Sequence, residues 1–177
     1  MDGAVPDRSD KRNSHMIKQI EIRNLKHFAS MSKETYCFTG TLFVDGKKRG
    51  VVSNQGYGGC NEFTDTDVQL EINAYAKSLP FVKTSFGEFE QSLDSLITDI
   101  VHWQIIRKDL QRNLKNKVMY IENGKLMQTN NARSPAMLSK WIEEVKSEKI
   151  DGVRTILNLF SVDDAVELYR VAKRLAA

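Results

Sequence analysis

The sequence predicts an α+β fold: an N-terminal three-stranded antiparallel sheet, a long central helix, a second β-hairpin and two C-terminal helices. Three observations carry this reading. Val44-Asp45-Gly46-Lys47 and Glu122-Asn123-Gly124-Lys125 both sit between strand-like runs, and Asp-Gly or Asn-Gly there marks a two-residue hairpin, because a type I′ turn needs positive φ at both central positions. Between the two turns, Phe86 to Lys115 places apolar residues at intervals of three and four, the period of an amphipathic helix. Beyond the second turn, Ser134-Pro135 and Ser161-Val162-Asp163-Asp164 have the composition of helix starts.

In chain order, Ile20 and Ile22 alternate with Glu21 and Arg23, which gives a strand with one buried face. From Tyr36 to Val44, the residues Tyr36, Phe38, Gly40, Leu42 and Val44 share one face, and Cys37, Thr39, Thr41 and Phe43 share the other. Asp45-Gly46 returns the chain into a third strand, Lys48 to Ser53. Such a sheet needs a helix over its apolar face. Asn54 to Asn61 then carries Gly56, Gly58 and Gly59, so the backbone there adopts unusual torsions or approaches something closely. Thr64 or Asp65 caps a helix with Val68, Ile72, Tyr75 and Leu79 on its stripe, closed by Pro80.

Ser85-Phe86-Gly87-Glu88 has capping-box spacing. It opens the long helix, whose stripe runs through Phe89, Leu93, Leu96, Ile100, Trp103, Ile106, Leu110 and Leu114. About 30 residues of helix span ~45 Å at 1.5 Å per residue. Glu88, Glu90, Asp94 and Asp99 lie towards its N-terminal half and Arg107, Lys108, Arg112 and Lys115 towards its C-terminal half, an order that the helix dipole favours. The stripe is expected to pack against the sheet and the later helices together, and it also offers a surface for a homodimer. In the second hairpin, Val118 to Thr129, the inward candidates are Val118, Tyr120 and Leu126. Leu138, Trp141, Ile142 and Val145 form the apolar side of the next helix, Val153 to Phe160 reads as a short buried segment, and Ala165, Leu168, Tyr169, Ala172 and Leu175 face inward on the last helix.

The chain is 41% hydrophobic and 28% charged, with a net charge of +3, the profile of one globular domain with no overall demand for a polyanionic partner. Residues 1–15 are polar and aperiodic, and Ser14-His15-Met16 resembles a cloning junction. They are read as a disordered leader or expression scar, which leaves residues 16–177 as a single domain. Neither a membrane-length apolar run nor the apolar core of a signal peptide is present. A cytoplasmic protein with no membrane contact is therefore expected. Cys37 and Cys60 form no Cys-x-x-Cys or Cys/His metal spacing and read as two reduced thiols.

Four groups in the sequence bear on chemistry. His102 has Asp99 three positions before it and Asp109 seven after, but no His-x3-His or Glu-x2-His partner, and a partly exposed surface histidine is the better reading. Cys60 follows Gly58-Gly59, whose amides could stabilise an oxyanion beside a thiolate, with His27 or His102 as the base; no peptidase or transferase signature surrounds it. Glu62, Asp65, Asp67 and Glu71 form an acidic group that a helix N-terminus accounts for without a metal. The glycine-rich stretch is neither a Walker loop nor a dinucleotide fingerprint. No catalytic residue, metal ligand or cofactor is assigned.

Two basic runs remain. Lys47, Lys48 and Arg49 project from the first hairpin tip, while Arg107, Lys108, Arg112, Lys115 and Lys117, extended by Lys125, could contact phosphates. Phe86, Phe89 and Trp103 fall on the core stripe instead of between those cations, so a nucleic-acid-binding protein is the second reading.

TYCFTGTLFVDGKKRGVVSNQGYGGCN (residues 35–61) and VMYIENGKLMQTNNARSP (residues 118–135) resemble a group of small bacterial and bacteriophage proteins without assigned activity. The resemblance implies an origin on bacterial or mobile genetic material, and it supplies no catalytic residue. The function expected is a non-catalytic protein-binding module, a phage or mobile-element inhibitor of a host defence protein or complex, acting in the bacterial cytoplasm. Asp45, Lys47, Lys48, Arg49, Gln55, Tyr57 and Asn61 are its expected contact residues, since recognition concentrates on loops carried by a rigid sheet.

Overall fold

In a computed structural model, the structure describes residues 17, 19–84, 87–148 and 154–175. The expected leader, residues 1–15, lies outside the described residues, as do Ser85, Phe86 and Val153.

The α+β architecture is present, with a four-stranded N-terminal sheet in place of the expected three strands. Strands β1 (Ile20–His27), β2 (Cys37–Val44), β3 (Lys47–Gln55) and β4 (Glu62–Phe63) lie in that order, each antiparallel to its neighbour. The added strand β4 is only two residues long, too short for alternation to reveal. Asp45 and Gly46 have φ of 49° and 75°, and Val44 pairs with Lys47, which is the expected type I′ geometry.

Phe38, Leu42 and Val44 point to the expected buried face with Ile22 and Val52. Helix α1 (Thr66–Ser78) and the first half of α2 (Leu93–Asn113) cover that face through Val68, Ile72, Leu93, Ile97 and Val101. Asp65 is the N-cap of α1, accepting from the N–H groups of Asp67 and Val68. Strand β1 is irregular between Arg23 and Lys26, with Asn24 at φ 54°. Gln104 Nε2 donates to the Ile22 carbonyl at 2.7 Å and Lys108 Nζ to the Leu25 carbonyl at 2.7 Å, so α2 satisfies two carbonyls around that irregularity.

The central helix is shorter than the sequence pattern suggests. It begins at Leu93 instead of Phe86, because Gly87–Phe89 forms β6, paired antiparallel with β5 (Val82–Thr84). Gly87 has φ 128°, a torsion that a right-handed helix cannot contain, and Phe89 is exposed instead of joining the stripe. The capping box falls on Ser92 and Ser95, each hydroxyl accepting from the other's backbone N–H.

Past the helix, β7 (Met119–Glu122) pairs with β8 (Lys125–Gln128) on one side and with β9 (Arg154–Ile156) on the other. The segment read as a short buried stretch is thus an edge strand followed by a 3₁₀ turn, Leu157–Leu159. Asn123 and Gly124 have φ of 49° and 76°. Both faces of β7 are covered. Met119 and Ile121 pack with Leu110, Leu157, Ala165 and Val166, whereas Val118 and Tyr120 pack with Trp141, Ile142 and Val145 of α3 (Pro135–Ser147). The inward set is therefore Met119 and Ile121 as much as the expected Val118, Tyr120 and Leu126, because helices flank this small sheet on both sides.

Helix α4 (Val162–Leu175) lies against α2, and Ser161 Oγ accepts from the Asp164 N–H at 3.1 Å. Ala165, Leu168, Tyr169 and Ala172 face inward as expected, and the side chain of Leu175 lies outside the described residues. The buried residues of α2 are Leu93, Ile97, Val101 and Leu110, so the inward face shares only Leu93 and Leu110 with the expected stripe, and Leu96, Ile100, Trp103, Ile106 and Leu114 are partly buried beside the two clusters.

Candidate functional site at the loop end of the first sheet

Strands β2 and β3 fix where the expected contact residues can stand. Their shared turn, Asp45-Gly46, is at one end of the sheet, and Gln55, Tyr57 and Asn61 are at the other. At ~3.3 Å per strand residue the two ends are about 25 Å apart. The sequence reading grouped them as one set of contacts, and the structure separates them.

At the turn end, Asp45 is held to the segment before β1. Its N–H donates to the Gln19 carbonyl at 2.9 Å, and its Oδ1 accepts from the Gln19 N–H at 2.9 Å. Arg49 forms an ion pair with Glu71 of α1 at 2.9 Å. Lys47 and Lys48 are exposed. The tip is therefore two exposed lysines on a pinned turn, with Arg49 turned towards the helix.

The opposite end is built from two loops, residues 28–36 and 54–61, braced from beneath. Asn54 is buried and uses its whole side chain. Its Oδ1 accepts from Thr35 Oγ1 at 2.8 Å and from the Gly56 N–H at 2.8 Å, and its Nδ2 donates to the Gly59 carbonyl at 2.9 Å and to Asn61 Oδ1 at 3.3 Å. The Gly56 carbonyl accepts from the N–H groups of Lys33, Glu34 and Thr35. Gly56 sits at φ 88°, and a Cβ there would run into the Met31 carbonyl and lie 2.9 Å from Cys37 Cβ. This is the close backbone approach that the glycine-rich stretch announces.

Ser32 closes the network. Its hydroxyl donates to the Phe28 carbonyl at 3.1 Å and accepts from the Cys37 N–H at 2.8 Å. Its single proton being used on Phe28, the 3.2 Å contact with His27 Nε2 requires the imidazole to donate. Asn61 is buried too, its N–H donating to Asp94 Oδ1 at 2.7 Å and its Nδ2 to the Asp94 carbonyl at 3.4 Å. It is a strut to α2 and is withdrawn from the surface on which it was expected. Gln55 is exposed and bonds Glu62 at 3.2 Å.

These braced loops present three large apolar side chains beside the exposed Lys33, Glu34 and Gln55. Phe28 is 42% exposed, Met31 45% and Tyr57 64%. Phe28 and Met31 went unnoticed in the sequence because neither belongs to an alternating or helical pattern. A large side chain directly beside a glycine-rich turn, as Tyr57 is, was the available signal.

The catalytic readings gain no geometry. Cys37 and Cys60 are free thiols, Cys37 buried and Cys60 exposed. His27 is engaged with Ser32, and His102 Nδ1 lies 2.7 Å from Tyr36 Oη, so both candidate bases are directed elsewhere. Asp99 accepts from Trp103 Nε1 at 3.0 Å instead of orienting His102. Among the described residues, no group of three or more His, Cys, Asp or Glu side chains could hold a metal ion. Asp65 caps α1, Glu71 pairs with Arg49 and Glu62 with Gln55.

The basic run on α2 is largely engaged within the chain. Arg107 bonds both carboxylate oxygens of Asp163, at 2.7 and 3.3 Å, Lys108 the Leu25 carbonyl, Arg112 the carboxylate of Asp109 at 2.9 Å, and Lys117 the side chain of Gln128 at 3.3 Å. Asp163 holds the Arg107 guanidinium above its ordinary pKa, and Arg107 depresses the Asp163 carboxylate. Lys115 and Lys125 remain exposed. Among the described residues, no helix is long and apolar enough to cross a membrane.

The Tyr36–His102 bond makes a pH prediction. Burial lowers the His102 pKa below its ordinary 6.5, Lys173 and Arg170 lower it further, and Asp99 opposes them. The unfolded chain therefore takes up a proton near 6.5 while the folded chain resists. Stability from this group is fully present above about 6.5 and falls as pH drops from there towards the folded pKa. Denaturant midpoints at about pH 7.5 and 5.5 should show this loss, and His102→Gln, which keeps a partner for Tyr36, should flatten it.

No family model, curated protein or solved structure matches the chain.

Proposed function

We propose that the chain is a non-catalytic protein-binding module whose contact surface is the loop end of the first sheet. The observation that carries this is the pairing of Phe28, Met31 and Tyr57, all exposed, with the buried Asn54, Gly56 and Ser32 network beneath them. Ordering loops on association costs free energy, and loops already fixed avoid most of it. Exposed aromatic and methionine side chains are the residue types that dominate interface cores.

A partner in the bacterial cytoplasm is suggested only by the resemblance read from residues 35–61 and 118–135, which no family model, curated protein or solved structure reproduces. A phage or mobile-element protein acting there by occluding a host defence protein or complex is the setting that fits. Polynucleotide binding by α2 is less favoured, because phosphate contact would have to compete with the hydrogen bonds of Arg107, Lys108, Arg112 and Lys117.

Tyr57→Ala is expected to weaken partner binding by tenfold or more, as loss of a central aromatic does, with the thermal midpoint unchanged because the ring is exposed. Lys47→Glu combined with Lys48→Glu should change affinity far less. Calorimetry with the captured partner distinguishes the two; the reverse ranking would move the contact surface to the hairpin tip.

A further inference from the structure

A cleft of about 930 Å³ lies between the middle of α2, the C-terminal half of α4 and the segment that leaves α1. Phe81, 61% exposed, Val82, 41% exposed, and Trp103 are among its lining residues. Arg170 and Lys173, one turn apart on α4, line it too. The guanidinium of Arg170 lies 4.6 Å from the centroid of the Trp103 ring, and Tyr169 meets that ring edge-on at 6.1 Å. Both the indole and the cation are thereby held in place.

The polar groups here are unbalanced towards donors. Arg170 has a long 3.4 Å contact with Glu167, and its Nε is buried with no partner among the described residues. His102 also lines the cleft, and its Nε2, a donor or an acceptor according to the tautomer, is buried without a partner among the described residues. Among the described residues, Asp99 is the one carboxylate in the lining, and its Oδ1 accepts from Trp103 Nε1. Two cations beside exposed aromatic and aliphatic side chains are complementary to an anion that carries a flat ring.

We propose that this cleft is a binding site for a small planar organic anion of roughly nucleotide size, its ring against Phe81 and Trp103 and its phosphate or carboxylate between Arg170 and Lys173. The volume is within the range of pockets that enclose such ligands, about 300–1,000 Å³. The depressed pKa of His102, which Lys173 and Arg170 help to lower, is consistent with a positive potential there. The site is independent of the loop-end surface, and either can fail without the other.

Trp103 supplies the readout. The chain has two tryptophans, so Trp141→Phe leaves Trp103 as the reporter. Adenosine 5′-monophosphate and indole-3-acetate each carry a flat ring and an anion, a phosphate in the first and a carboxylate in the second; the first is titrated by Trp103 fluorescence and calorimetry, the second, whose own indole fluoresces, by calorimetry alone, both on the full chain. Adenosine and inorganic phosphate separate the two halves of the ligand. Saturable binding of at least one ring-bearing anion is expected, weakened tenfold or more by Arg170→Gln and by Lys173→Gln, with adenosine and phosphate each binding much more weakly. Circular dichroism of the variants confirms that they are folded. The proposal is overturned by no saturable response to either anion, by affinity that both variants leave unchanged, or by phosphate binding as tightly as the ring-bearing anions.

Discussion

Asn54→Ala is expected to destabilise the protein by roughly 3 kcal/mol, since each buried polar group left without a partner costs ~1–3 kcal/mol. Truncation removes the acceptor of Thr35 Oγ1 and of the Gly56 N–H, and the donor to the Gly59 carbonyl and Asn61 Oδ1. Asn54, Gly56 and Asn61 are buried, so the Gly56 N–H and Asn61 Oδ1 lose their partner away from water, whereas the Gly59 carbonyl is on an exposed residue. The consequence is functional as well as energetic. Residues 54–61 and 28–36 would lose their common brace, and Tyr57 would be presented by a mobile loop instead of a fixed one. Urea denaturation gives the stability change, and calorimetry with the partner gives the loss of affinity. A variant of unchanged stability would mean that the network does not hold the loops. Asn54→Asp is a useful companion, keeping the acceptor side while losing both donations.

Leu110→Ala should cost ~2–5 kcal/mol, the range for truncating a fully buried leucine, and should do so across the whole chain in one transition. Leu110 is 1% exposed and packs in the cluster formed by β7, α4 and the end of α2. Ile97 and Val101, earlier on the same helix, are in the cluster under the first sheet. A continuous helix through both cores transmits the loss from one to the other. Far-ultraviolet circular dichroism and the fluorescence of Trp103 and Trp141 should therefore report coincident unfolding. Separate transitions would show that the two sheets are independent units and that residues 16–177 do not form a single domain.

The parts of this fold legible in the sequence are those set by local chemistry. Asp45-Gly46 and Asn123-Gly124 specified both type I′ turns because few residue pairs accept positive φ twice. Ser134-Pro135 specified the start of α3 for a comparable reason. Phe89 misled because its spacing continues the stripe of α2, while Gly87, which adopts φ 128°, was the contrary signal two residues before it. The candidate site was legible only in part. Gly56 marked a close backbone approach, but what it approaches, the carbonyl of Met31, is brought there by the pairing of β2 with β3. The same pairing puts Lys48 and Tyr57 at opposite ends of the sheet, which counting residues along the two strands would have revealed. Tyr36 and His102 are 66 residues apart, and Trp103 meets Arg170 across two helices, so neither contact leaves a local pattern to read.

Capture of partners from bacterial lysate on the tagged chain, with and without nuclease and with Tyr57→Ala as the control, decides whether the chain acts by binding a protein. A defined protein that survives nuclease treatment and is lost with Tyr57→Ala is expected. Retention that disappears with nuclease and is indifferent to Tyr57 would contradict it and shift the function to the cations of α2.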